Sequence, residues 1–204
     1  SIPTYNNLKE QAKESVSAYE DSKAQLENMN DELQTTQDRI RELKSLGTLS
    51  VTEESELREL QAQNQMLQQQ IDLQERLHET SKKSAAGAAL SAFQKGDFTD
   101  ESAAISKNIL AIEDEIELVQ SSGFSDEKKD SWVQSLQAEL ENEYEKLNEI
   151  NAEINDIFTP DQLMEWNDTD SGKKLLDEYV DYLTASATTV EDKFNALRLD
   201  SRYQ

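Results

Sequence analysis

The densest run of potential metal-binding groups in this 204-residue chain is Asn167-Asp168-Thr169-Asp170-Ser171-Gly172 with Glu178 downstream. Counted with Gly172 at the sixth position, Asn167 is first and Glu178 twelfth, the frame of a calcium loop. Thr169 and Ser171 then occupy the third and fifth positions, Asp168 and Asp170 fall out of register, and Lys174 stands at the eighth. A turn closed by an Asp or Ser helix cap accounts for the same residues, and no metal is assigned. The single histidine, His78, falls at a helical seam position and reads as a polar register residue. One His and no Cys supply neither a zinc site nor a disulfide. Glu113, Asp114, Glu115 and Glu117 cluster, but in a chain with 43 acidic residues such clusters are expected on any solvated helix face. No Gly-rich phosphate loop, nucleophile elbow or HExxH is present. The reading is therefore of a non-enzyme, with no catalytic residue, cofactor or metal site.

The elements that hold these residues are helical. Only 35% of the residues are hydrophobic and 6% aromatic, 31% are charged, and Gly is five and Pro two. Few apolar residues with few breakers describe long helices with narrow seams. From about Pro3 to Leu46 the seam runs Leu8, Ala12, Ser15, Tyr19, Ser22, Leu26, Met29, Leu33, Thr36, Ile40 and Leu43. Its steps alternate four and three, the 3.5-residue period of a coiled coil. At about 1.5 Å per residue such a helix is roughly 65 Å long. Gly47 stops it in a left-handed cap, and Ser50 with Glu53 has the capping-box spacing, with Thr52 as a second N-cap candidate. The next helix carries Leu57, Leu60, Asn64, Leu67, Ile71, Gln74 and His78, passes through the Ala-rich stretch from Ser84 to Phe93 and ends near Gly96. Asn64 reads as a register-fixing polar residue, and the small residues invite close approach of another helix.

The pattern repeats. Thr99-Asp100-Glu101 is expected to cap a third helix with Ile105, Ile109, Ile112, Ile116 and Val119, ended by Gly123. Ser125-Asp126-Glu127 starts a fourth with Val133, Leu136, Leu140, Tyr144, Leu147, Ile150 (or Asn151), Ile154 and Ile157. Thr159-Pro160 opens a short helix with Leu163, Met164 and Trp166. After a turn, one final helix is expected to carry Leu175, Leu176, Tyr179, Val180, Leu183, Ala187, Val190, Phe194 and Leu197. The expected fold is all-α, elongated, and built of long antiparallel coiled-coil hairpins. Residues 1–95 form the first, with its turn near 47–52, and 96–158 the second, with its turn near 121–126. Residues 159–204 form a C-terminal helical pair.

The net charge of −23 repels phosphate backbones and anionic lipid, so neither nucleic acid nor a membrane is an expected partner. Charge concentrates in 96–158, with 17 acidic against four basic residues, a solvated face or the dock of a basic partner. No apolar run approaches the ~20 residues of a bilayer span. The chain starts at Ser1 and reads as a piece excised from a longer protein.

The segment from Ile40 to Gln61 has a specific look: a helix closing on Ser45-Leu46-Gly47, the link Thr48-Leu49-Ser50, then an acidic restart at Glu53-Glu54 into a Leu-rich helix. It resembles the helical-hairpin segments of tail tape-measure proteins of siphophages and prophages of Gram-positive bacteria. The resemblance is clearest over about residues 30–95, and Gly123 to Trp132 looks like a looser copy. It implies a structural segment of a long, multimeric protein that sets tail length, works with tail and scaffold proteins, assembles in the bacterial cytoplasm and resides in the virion tail. It carries no site residues. Two other expectations compete. One is a coiled-coil protein-binding module of a bacterial surface or secreted protein, and the other a spacer beside a nucleotide-binding head. Self-association into a homo-oligomer fits any of them.

Overall fold

The computed structural model describes residues 3–200, and within them the fold is all-α. Seven helices follow one another: α1 (Tyr5–Ser45), α2 (Val51–Lys95), α3 (Phe98–Gln120), α4 (Asp126–Ile157), α5 (Pro160–Glu165), α6 (Asp170–Ser186) and α7 (Val190–Leu199).

Local chemistry sets most of the boundaries. Gly47 has φ +78°, a conformation that costs an L side chain. The Ser50 hydroxyl accepts from the Glu53 amide at 3.1 Å while Glu53 returns its carboxylate to the Ser50 amide at 3.0 Å, closing a capping box ahead of α2. Ser125 caps α4 through the Lys128 amide. Thr159 and Gln162 form a second reciprocal box ahead of Pro160.

Three starts differ from expectation. Helix α3 begins at Phe98 behind Asp97, which sits in the left-handed region at φ 51° and makes no side-chain cap, so Thr99 is already inside the helix. Helix α6 is capped by Thr169 rather than by an Asp or Ser. The single final helix is two helices. Ala187 is extended, its carbonyl accepts from the Ser106 hydroxyl at 2.8 Å, and Thr189 caps α7 through the Asp192 amide. A buried tertiary hydrogen bond together with a Thr cap outweighs the continuous apolar pattern there.

The chain forms two compact units. One comprises residues 14–85, the other residues 1–13 with 86–204. These units cross the expected division at 95/96, because both ends of the first hairpin pack with the helices that follow it.

In the unit of residues 14–85, α1 and α2 run antiparallel. Arg39 meets Glu56 at 2.8 Å, Gln63 meets Glu32 at 3.3 Å, Gln74 reaches the Ser22 carbonyl at 3.4 Å, and His78 faces Ser22 at 3.0 Å. One partner number rises as the other falls. All seam positions from Ser15 to Leu43 and from Leu57 to His78 are buried or half-buried.

In the other unit, α3 packs on α4 and α6, and α6 also contacts α5 and α7. Its centre is an aromatic cluster around Phe93, whose ring lies within 5.6–6.3 Å of Phe98, Phe158 and Tyr182. Tyr179 joins through Phe158 and Tyr182, and Tyr5 through Phe98. Ala86, Ala89 and Ala92 are wholly buried, and the helix that approaches this small-residue face is α6: Gly87 lies near Ser171, and Gln94 donates to Glu178. In α4 the alternative at 150/151 resolves to Ile150, which is buried while Asn151 is exposed.

Candidate functional site

A concave surface of the second unit lies between α3 and α4. It is a groove of about 690 Å³, lined on one side by Asn108, Ala111 and Ile112 and on the other by Asn142, Glu143, Lys146 and their neighbours. Its position follows from the seams. Ile105, Ile109 and Val119 bury one edge of α3, and Leu136, Ile150 and Ile154 one edge of α4. The positions beside these seams are left to polar groups. Glu139, Glu145 and Glu149 are exposed at the rim. Glu143 lies deeper, its side chain 14% exposed; Oε1 accepts from Lys146 Nζ at 2.9 Å, and Oε2 has no hydrogen bond. Tyr144 donates to Glu113 across the two helices at 3.1 Å, and the remaining members of the early acidic cluster, Asp114, Glu115 and Glu117, face solvent. The chemistry on offer is that of carboxylates in water, suited to cationic side chains.

The calcium-loop candidate folds as a cap. Thr169 Oγ1 donates to the Trp166 carbonyl at 2.7 Å and accepts from the Gly172 amide at 3.0 Å. Gly172 is required by proximity: a Cβ there would collide with the Trp166 carbonyl. Among the described residues no group of three or more His, Asp or Glu side chains is placed to hold a metal ion.

His78 lies on the seam of the first unit. Its ring stacks on Tyr19 at 5.0 Å, and Nδ1 shares a 3.0 Å hydrogen bond with Ser22 Oγ. Asn64 is half-buried on the same seam, with Oδ1 sealed from solvent and unpartnered.

One polar node was not legible in the sequence. Tyr5 donates to Glu153 Oε1 at 2.6 Å, and Lys9 Nζ reaches the same oxygen at 2.8 Å and Asp156 at 3.5 Å. Burial, and then the Glu153 hydrogen bond, push the Tyr5 phenol well above its ordinary range. The Lys9 and Tyr5 hydrogen bonds hold the Glu153 carboxyl below its ordinary range. Tyr182, deep in the aromatic cluster, is pushed up to about 12, chiefly by burial. These groups serve packing: each one's partner is another side chain of the fold.

Neither a protein-family model, nor a curated protein, nor a solved structure matches this chain. No described helix is long and apolar enough to cross a membrane.

Proposed function

We propose that this chain is a mechanical element: an elongated coiled-coil hairpin segment of a phage tail tape-measure protein, acting as scaffold and length ruler in tail assembly. The observation that supports this most is the register in residues 14–85. Cross-helix pairs at Arg39–Glu56, Glu32–Gln63 and Ser22–Gln74 keep one antiparallel register over the unit, each step back along α1 matched by an almost equal step forward along α2. A seam that stays in step over this length, laced with Ser22, Thr36, Asn64 and Gln74, is built to hold a length and a pairing. The turn chemistry at Gly47, Ser50 and Glu53 is the part that resembles the tape-measure family.

Under this reading the partners are other copies and tail or scaffold proteins, and the site of action is the virion tail, reached by assembly in the bacterial cytoplasm. In-frame deletion of residues 14–85 from the parent protein tests it. Because α1 and α2 lie side by side over these residues, a ruler read along its helices shortens the tail by the length of one arm, about 50 Å at 1.5 Å per residue. An unchanged tail, or a parent gene remote from any tail genes, refutes the assignment.

The acidic groove between α3 and α4 favours a second reading, a protein-binding module of a bacterial surface or secreted protein that docks a basic partner. Its mark is an export signal in the parent, and binding to a cationic protein that weakens steeply with salt.

A further inference from the structure

Helix α2 has a second apolar stripe that α1 does not cover. Met66, Leu73 and Leu77 are 59%, 58% and 53% exposed. At 100° per residue they fall within about 40° of one another and about 120° from the buried seam of Leu60, Leu67, Ile71 and Gln74. Three large apolar side chains in line on one face are more than scattered surface exposure.

The charge around this stripe differs from the rest of the chain. From Leu60 to Ile71 the helix has no charged residue on any side. From Leu57 to Lys83 four cations and four anions cancel, whereas the whole chain carries −23. Two copies that met along α3 and α4 would repel; along this stretch of α2 they do not.

We propose that the Met66–Leu77 stripe of α2 is where a second copy of this chain docks, antiparallel. A two-fold axis beside Glu75 sets Leu73 of one copy against Leu77 of the other, twice. Arg76 and Asp72 lie on the same flank of the stripe, so the antiparallel arrangement brings Arg76 of each copy to Asp72 of the other. In a parallel pair the same flank of the two copies falls on opposite sides of the contact, so Arg76 and Asp72 would not meet. A contact this small gives a weak, reversible dimer.

Sedimentation equilibrium of the chain from about 10 µM to about 500 µM tests this, with a dimer in the micromolar range expected. Leu73→Glu with Leu77→Glu changes only exposed side chains. It weakens the dimer at least tenfold while the helical circular dichroism is kept. The chain has no cysteine, so cross-linking reports orientation cleanly. Under oxidation a mixture of Leu73→Cys and Leu77→Cys chains gives mixed disulfide dimers, and Leu77→Cys alone does not cross-link. A wild-type chain that stays monomeric throughout, a dimer indifferent to the double Glu substitution, or like-with-like cross-linking of Leu77→Cys overturns the proposal.

Discussion

The Tyr5 hydroxyl donates a 2.6 Å hydrogen bond to Glu153, tying the first turn of α1 to the end of α4 across 148 positions of sequence. Lys9 binds the same carboxylate from one turn further along. Tyr5→Phe removes the bond and keeps the ring contact with Phe98. Because Glu153 is 36% exposed, the cost is expected at the low end for a charged acceptor, about 1 kcal/mol. The pH dependence follows from the direction of the Glu153 shift. Its folded-state pKa is depressed, so its contribution is present above the ordinary carboxylate value and is lost as pH falls through the lower folded value. The gap in melting temperature between the wild type and Lys9→Met should narrow as pH drops below about 4. A gap that stays constant down to pH ~2 contradicts the role given to Glu153.

Tyr182 makes the opposite prediction at high pH. Its folded-state pKa is raised to about 12, so the stability it contributes is intact below the ordinary phenol value of ~10 and is lost as pH rises towards 12. Urea midpoints measured from pH 9 to 12 should fall, and Tyr182→Phe should flatten that fall. An identical slope in the variant argues against buried Tyr182 as a source.

Asn64 Oδ1 is sealed from water without a partner. Asn64→Leu is expected to stabilise the unit of residues 14–85 by about 1 kcal/mol, because the unpaired acceptor disappears. The expected accompaniment is looser register, since a polar seam residue penalises slipped pairings. Thermal unfolding, with disulfide trapping of slipped pairs, reads both. A lower melting temperature would mean that Asn64 makes a bond absent from this arrangement.

The glycines separate by what surrounds them. Gly172→Ala drives a methyl into the Trp166 carbonyl and should cost more than about 2 kcal/mol, with loss of the buried Trp166 fluorescence environment. A methyl added at Gly123 would meet nothing within 4 Å, and the residue has no positive φ, so Gly123→Ala should be neutral or slightly stabilising. Equal effects at the two sites contradict the geometry of the Thr169 cap.

What could be read from the sequence was what local chemistry controls. The seam from Ser15 to Leu43 emerges from side-chain period alone, because each position repeats the same burial. Ser50, Ser125 and Thr159 are legible because a cap uses residues three apart. The break at Ala187 was not, since it depends on a hydroxyl from Ser106 on another helix. Nor was the left-handed start at Asp97, where the neighbouring Phe98 buries itself among Phe93 and Tyr5. The Tyr5–Lys9–Glu153 node joins residues whose spacing carries no periodic signal. The Ala-rich stretch announced a close helix contact without naming the helix, and α6 fills that place.

The most direct test of a scaffold built from long hairpins is the radius of gyration of the chain by small-angle X-ray scattering, with light scattering to fix the number of copies. A compact 204-residue globule has a value near ~17 Å. The account predicts a value for the monomer well above that, with the profile of an extended particle. A monomer at ~17 Å would contradict it.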